Sequence, residues 1–362
     1  MKETVVVGMS GGVDSSVAAY LLKEQGYNVI GVTMQIWQDE DVCTLEHEGG
    51  CCGLSAVDDA RRVADVLEIP YYVMNFKQEF QANVIDYFVR EYQAGRTPNP
   101  CIACNRYVKW ESLLQRSIEI GADYIATGHY ARIRQLPNGR YAIANSVTAR
   151  KDQTYALYNL TQEQLRRTLM PVGEYEKERV RQIAEEVGLP VAHKPDSMEI
   201  CFVPDGDYAS YIEQATGKPS VPGNFVDVDG HILGQHKGII HYTVGQRKGL
   251  GLALGYPAFV VQIRPETNEV VIGSLEHNLS HHVYAREMNF MGEEMFDENA
   301  VYQGKIRYNH AGAACHIVRR ADDLYECIFE EPQRGVTPGQ ALVLYQDGIV
   351  AGGGTICRPE TE

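Results

Sequence analysis

An α/β fold is what this 362-residue sequence predicts: a doubly wound parallel sheet, then a small mixed central domain and a C-terminal β-barrel. Three observations carry that prediction. Strand-like and helix-like apolar patterns alternate through residues 4–127. A glycine- and serine-rich turn joins the first strand pattern to the first helix pattern. Short β-prone runs separated by turn residues dominate after residue 276.

Taken in order, residues 4–7 read as a short buried strand. Residues 13–25 place apolar side chains at 13, 17, 18, 21 and 22, the spacing of one helical face, and Gly26 ends the pattern. Residues 29–33 form the next strand. Residues 57–67 read as an amphipathic helix with Leu54, Val57, Val63 and Val66 facing inward. Strand patterns at 71–75 and 124–127 enclose helix patterns at 80–92 and 107–120. In a parallel sheet of this kind ligands bind at the carboxyl ends of the strands.

Two irregular segments interrupt this alternation. Residues 38–53 carry Cys43, Cys51 and Cys52, and residues 94–106 carry Pro98, Pro100, Cys101 and Cys104. Loops this long in a compact domain are more often functional than not. The first domain is expected over 1–205 and the small central one over 206–275, with a short helix at 208–215. The barrel is expected over 276–362, with strands at 301–308, 314–318, 325–329 and 341–345.

The chain is 44% hydrophobic and 22% charged, enough to bury a substantial core. It has no apolar stretch near the roughly 20 residues that span a bilayer, and no cleavable leader pattern, so a cytoplasmic protein that binds no membrane is expected. Nine cysteines in such a chain read as thiols, ligands or catalytic groups rather than as a disulfide framework. A net charge of −15 argues against indiscriminate nucleic-acid binding. Yet residues 128–168 hold seven Arg/Lys against two acids, and 230–264 hold four against none, which suits a structured, specific RNA partner.

The most specific motif is Gly8-Met9-Ser10-Gly11-Gly12-Val13-Asp14-Ser15-Ser16, between a strand and a helix. Glycines let backbone N–H groups approach a polyanion, the serines add hydroxyl donors, and the helix N-terminus adds partial positive charge. Asp14 suits a magnesium ion bridging phosphates. The Gly-Lys-Ser/Thr ending of a Walker loop is missing. The motif resembles the pyrophosphate loop of the ATP pyrophosphatases, which release AMP and pyrophosphate while adenylating an oxygen. That resemblance implies ATP and Mg2+ at Gly8 to Ser15, with Met34 and Gly128 bordering adenine and ribose.

Two cysteines stand out by context. Cys104 ends Arg96-Thr97-Pro98-Asn99-Pro100-Cys101-Ile102-Ala103-Cys104, a proline-stiffened stretch with a helix expected just beyond it, whose dipole favours thiolate. Cys201 lies in Asp196-Ser197-Met198-Glu199-Ile200-Cys201-Phe202. A structural zinc half-site at Cys101 and Cys104 would need a second close ligand pair, and a redox dithiol would need a thioredoxin-like setting. Catalytic or cluster-binding thiols fit best beside an ATP site. Cys201 by itself reads as a small buried hydrophobe.

In combination, the phosphate loop, Arg96-Thr97-Pro98-Asn99-Pro100, Ala126-Thr127-Gly128-His129-Tyr130, Lys151-Asp152-Gln153-Thr154-Tyr155, Glu199-Ile200-Cys201-Phe202 and His241-Tyr242-Thr243-Val244-Gly245-Gln246 resemble the bacterial tRNA-specific 2-thiouridylases. Arg307-Tyr308 and Pro338-Gly339-Gln340 extend the likeness over nearly the whole chain. The resemblance implies adenylation of O2 of the wobble uridine, then sulfur transfer from a persulfide on Cys201 with Cys104 as its partner thiol. A sulfur-relay protein or cysteine desulfurase would supply the sulfur, and a transient Cys104–Cys201 disulfide would close the cycle. It implies tRNA contacts, at the anticodon region, for Asn99, Pro100, Cys101, His129, Lys151, Asp152, Gln153, Arg307, Tyr308 and Gln340.

Many members of that family carry Asp at the position of Cys101. Cys101, Cys104 and Cys201 together would suit an iron–sulfur cluster instead, with hydrosulfide as the sulfur carrier. Two rival functions remain: another synthetase with the same loop (argininosuccinate synthase-like or amidotransferase-like), and a non-catalytic RNA-binding protein with a degenerate loop.

Overall fold

Val5, Val6 and Val7 are wholly buried at the centre of a five-stranded parallel sheet, as a continuous apolar run predicts for a strand covered on both faces. The computed structural model describes residues 2–36, 54–196 and 200–359. Cys43, Cys51 and Cys52 lie outside the described residues. The sheet strands are β1 (Thr4–Gly8), β2 (Asn28–Gln35), β3 (Tyr71–Asn75), β4 (Tyr124–Ala126) and, after a hairpin of β5 (Ala131–Gln135) and β6 (Tyr141–Asn145), β7 (Thr168–Leu169). Their order is β3-β2-β1-β4-β7, and every neighbouring pair is parallel. The order therefore reverses between β1 and β4, which opens a crevice at their carboxyl ends.

Val13–Glu24 is helical, as the apolar spacing predicts, and buries Val13, Val17, Ala18, Leu21 and Leu22. Leu54–Val66 begins earlier than expected and buries Ala56, Val57, Ala60 and Val63; Val66 is 48% exposed, so its expected inward orientation is wrong. Residues 80–92 are helical in three successive pieces, Lys77–Phe80, Gln81–Ile85 and Asp86–Gln93, the middle one wound as a π-helix. The helix expected from 107 starts at Pro100. Pro100–Ala103 leads into the π-wound Cys104–Leu113 and then Leu114–Glu119. Proline at the start of a helix loses no hydrogen bond, because its missing N–H would have had no partner there.

By contacts the chain divides into two units. The first comprises Met1–Val84, Cys101–Gly206 and Gly348–Val350, the second Ile85–Pro100, Asp207–Asp347 and Ala351–Glu362. Within the second, a four-stranded mixed sheet (Phe259–Arg264, Glu269–Gly273, Gly223–Val226, Ile232–His236) encloses Phe225, Tyr242, Val260, Ile263 and Val270. A barrel closes where Leu279–Phe290 pairs with both Leu324–Arg334 and Ile349–Cys357. Its core holds Val283, Phe329, Leu342 and Leu344, together with Cys315 and Cys327, which are packing residues. Among the described residues no helix is long and apolar enough to cross a membrane.

Gly128, at the end of β4, shows how closely the crevice walls approach. A Cβ there would lie 2.5 Å from Ser15 N and 2.6 Å from Asp14 C, the backbone of the phosphate-loop helix. Gly128→Ala should therefore cost about 2 kcal/mol through overpacking, read as a lower urea midpoint. An unchanged midpoint would contradict the close approach.

Candidate active site

β1 delivers the phosphate loop to the crevice. Met9 N donates to Val32 O (2.8 Å), and Thr33 Oγ1 donates to Met9 O (2.7 Å), which fixes the start of the loop against β2. Ser10 N donates to Ser15 Oγ (3.1 Å), and Ser16 Oγ donates to Gly12 O (2.8 Å), so the turn is tied to the first turn of the Val13–Glu24 helix. The loop thus presents backbone N–H groups and a helix N-terminus at the strand-order reversal, with Gly128 opposite. Met34, near the end of β2, pairs in register with Met74.

Asp14, which the sequence suggests for a magnesium ion, is hydrogen-bonded within the protein in this structure. Lys177 Nζ lies 2.7 Å from its Oδ1 and 2.9 Å from its Oδ2, and Tyr130 OH donates to Oδ1 (2.6 Å). Lys177 is nearly buried and also meets Asp196 Oδ1 (2.8 Å). Lys151 Nζ reaches Asp196 Oδ2 (2.8 Å), and Arg181 donates to Asp196 Oδ1 (2.8 Å). Lys194 Nζ joins Gly11 O (3.1 Å) to Asp59 Oδ2 (2.7 Å). One network of Lys151, Lys177, Arg181 and Asp196 thus ties the phosphate loop to the chain just before Cys201, while Lys194 ties Gly11 to Asp59.

The electrostatics follow. Partial burial opposes ionisation of Asp196, but hydrogen bonds from Lys151 and Lys177, reinforced by their charges, outweigh it and hold the carboxyl down at about 2. Burial pushes the Tyr130 hydroxyl well up, and the Asp14 carboxylate pushes it further. Burial, with the Lys109 charge, lowers His129 well below the ordinary imidazole value, so its ring is neutral at pH 7. His129 Nδ1 is 2.8 Å from Thr127 Oγ1.

Cys104 sits one turn into a helix that starts at Pro100, not in a loop before a helix, so the first-turn position with the stronger dipole belongs to Cys101. Cys101 is exposed, and Cys104 and Cys201 are partly buried. Asn105 Nδ2 donates to Ala156 O (2.9 Å), fixing the residue beside Cys104. Trp110, on the same π-wound helix, donates to Thr168 Oγ1 (2.8 Å) and lies against His129, with ring centroids 5.6 Å apart. Phe202 meets Phe80 edge-on at 5.8 Å, and the Lys77–Phe80 helix packs on Cys104–Leu113. Both thiols are therefore flanked by residues anchored to one helix pair.

The basic tract at 128–168 is largely paired internally. Arg134 meets Glu174, Arg166 and Arg167 meet Glu163, and Lys151 meets Asp196. Asp152 accepts from Ser146 N and Thr154 N, and Gln153 Oε1 accepts from Tyr130 N (2.9 Å), so these two side chains shape the loop from inside. Asn99, Pro100, Arg307, Tyr308 and Gln340 belong to the second unit. There Arg307 donates to Arg334 O (3.0 Å), Tyr308 is exposed, and Gln340 donates to Thr97 O (2.8 Å).

Sequence reasoning missed Lys177, Arg181, Lys194 and Tyr130. Lys194 and Asp196 flank Pro195 just upstream of Cys201, a local signal, whereas nothing local marks Lys177. Asp227, Asp229 and His231 form an exposed turn with metal-ligand spacing, but they offer oxygen and nitrogen rather than thiolate, so the trio does not suit an iron–sulfur cluster.

Because the folded-state pKa of Asp196 lies below its ordinary value, its contribution to stability is present above about 3.8 and is lost as pH falls toward about 2. Asp196→Asn should lower the urea midpoint at pH 6, and its deficit relative to wild type should shrink over that acid window. A deficit independent of pH would refute the pairing.

Residues 3–205 match a family model described as the tRNA methyl transferase HUP domain, 210–274 one described as the tRNA methyl transferase PRC-barrel domain, and 280–356 one described as the aminomethyltransferase beta-barrel domain. The tRNA-specific 2-thiouridylase MnmA of Lachnoclostridium phytofermentans is 71% identical over 354 residues, covering 98% of this chain and 99% of the relative. Those of Clostridium perfringens and Clostridioides difficile are 57% and 54% identical, each over 98% of both chains. Identity at that level over nearly the whole length means that the chain belongs to the tRNA-specific 2-thiouridylase family.

Proposed function

We propose that this chain uses ATP to replace O2 of the wobble uridine of tRNA with sulfur, releasing AMP and pyrophosphate, and that it does so in the cytoplasm. The observation that carries the reading is the Asp14–Lys177–Asp196 bridge, which ties a phosphate-binding loop to the chain leading into Cys201. A rival synthetase with the same loop would need the loop but would have no use for a pair of thiols at Cys104 and Cys201.

Residues 1–205 supply the chemistry, 206–275 and 276–362 the tRNA surface. ATP phosphates lie against Gly8 to Ser15, with Met34 and Gly128 at the nucleoside. Asp14, at the start of the loop helix, would hold Mg2+ against the phosphates, and the ion would neutralise the charge that builds up on pyrophosphate. O2 of the uridine attacks the α-phosphorus and pyrophosphate leaves. The carbonyl oxygen, a poor leaving group, thereby becomes the oxygen of AMP. The terminal sulfur of a Cys201 persulfide, delivered by a relay protein or desulfurase, attacks C2 and AMP departs. The Cys104 thiolate then attacks Cys201 Sγ, leaving sulfur on the base and a Cys104–Cys201 disulfide that an external thiol reduces.

The target base leaves the anticodon stack to reach Asn99, Pro100 and Cys101, and neutral His129, Lys151, Arg307 and Tyr308 also contact the tRNA. The three thiols Cys101, Cys104 and Cys201 also suit an iron–sulfur cluster by donor type, which would supply hydrosulfide in place of the persulfide.

Incubation with ATP, magnesium, a sulfur donor and unmodified tRNA should give 2-thiouridine by nucleoside mass spectrometry. Cys201→Ser should abolish it while tRNA-dependent AMP formation persists. An amide-forming synthetase would barely respond to that substitution. Active, iron-free protein after anaerobic purification would exclude the cluster.

A further inference from the structure

Within the first unit, the turn of the phosphate loop rests on a second helix. Gly11 has φ +67°, and a Cβ there would lie 2.3 Å from Ala56 O and 2.8 Å from Ala56 Cα, in the first turn of the Leu54–Val66 helix. Only glycine allows that approach of backbone to backbone. One turn further along the same helix, Asp59 Oδ2 lies 2.7 Å from Lys194 Nζ, which also donates to Gly11 O (3.1 Å). A second tie passes through Tyr71 OH, which lies between Val57 O (3.3 Å) and Thr33 Oγ1 (2.7 Å), and Thr33 in turn donates to Met9 O (2.7 Å). The loop is thus held to this helix through two carbonyls, one on either side of Ser10.

The arrangement sets the direction of one amide. The peptide joining Gly11 to Gly12 is trans and planar, so its N–H points opposite to its C=O. Lys194 takes the carbonyl, and the Gly12 N–H is thereby turned away from Lys194. Among the described residues that N–H donates to no protein group, which leaves it for a ligand. Lys194 is fixed from behind, because Arg181 donates to its carbonyl (3.0 Å) and to Ala192 O (3.2 Å). The Lys194 and Asp59 side chains are only 30% and 25% exposed, so the pair is less screened than a surface ion pair. Asp59 is an anion and would repel a phosphate, so Lys194, not the nucleotide, accounts for its place.

We propose that Asp59 is a positioning residue for the phosphate loop: acting through Lys194, it orients the Gly11–Gly12 peptide so that the Gly12 amide faces the pyrophosphate portion of ATP. The inference rests on the ATP-binding half of the proposed function and is independent of sulfur transfer.

The test uses the full-length chain with Asp59→Asn, Lys194→Met and the double variant. The probes are the α,β-methylene analogue of ATP, inorganic pyrophosphate and AMP, each with Mg2+. Asp59→Asn keeps the size of the side chain and removes the charge that holds Lys194. Its Kd for the ATP analogue and for pyrophosphate should rise about tenfold, as for one misaligned hydrogen bond to a charged group, while its Kd for AMP stays within about twofold. Electrostatics alone predicts the opposite, since removing an anion from beside the site would tighten phosphate binding. In tRNA-dependent AMP formation, KM for ATP should rise with kcat nearly unchanged. A helix that had only loosened would weaken all three probes together. Adding Asp59→Asn to Lys194→Met should cost nothing further, because the carboxylate acts through the ammonium.

An Asp59→Asn protein that binds the ATP analogue as tightly as wild type, or more tightly, would overturn the proposal. So would equal losses for all three probes, or single-variant losses that add in the double variant. Should Asp59→Asn not fold, Asp59→Ser, which is also uncharged, carries the same expectations. If wild type binds the ATP analogue but makes no 2-thiouridine, the functional reading fails and the binding comparisons still decide the role of Asp59. If wild type binds neither the analogue nor pyrophosphate, both fail.

Discussion

The ammonium of Lys177, nearly buried between the carboxylates of Asp14 and Asp196, is the interaction on which the first unit depends. A buried ammonium is costly unless it is fully paired, and removing either carboxylate leaves the cation uncompensated. The pairing joins a helix at 177–186 to the phosphate loop and to the chain entering the Cys201 segment. It also sets the electrostatic starting point for the nucleotide. Lys151, Lys177, Arg181 and Lys194 are already engaged with Asp14, Asp59 and Asp196, so their positive charge is balanced within the fold beside the phosphate loop.

Much of the first unit was legible. The strands at 4–8, 28–35 and 71–75 and the helix at 13–24 follow directly from apolar runs and helical spacing, because there one face or both are buried. The phosphate loop was legible for a different reason: its glycines and serines are dictated by the ligand and not by packing. Lys177 and Arg181 were illegible, because their partners are 163 and 15 residues away and no local pattern encodes such a pairing. The start of the helix at Pro100 was misread as loop. Two prolines suggested irregular chain, whereas the second of them is the helix's first residue.

The barrel was only partly read for a similar reason. Leu324–Arg334 and Ala341–Gln346 carry the aliphatic and aromatic residues that favour strands and are expected from them, and Tyr302–Lys305 falls within an expected run. Ile349–Cys357 was not, since Gly352, Gly353 and Gly354 lower its intrinsic strand preference. At that seam a side chain on Gly352 would collide with the backbone of Asn289, and one on Gly354 with Met288, so the glycines are what allow the strand to close the barrel against Leu279–Phe290. The charge tract at 128–168 is less bare than its composition suggests, because Glu163 within it and Glu174 and Asp196 beyond it pair with Arg134, Lys151, Arg166 and Arg167.

The hydrogen bond from Gln340 to Thr97 O bears on how the protein is made. Gln340 leaves the ribosome 243 positions after Thr97. Contacts of such long sequence separation form late and slowly. Until residue 340 has been made, the Asn99–Pro100 turn lacks this tie, so a chain cut short before that point cannot form it.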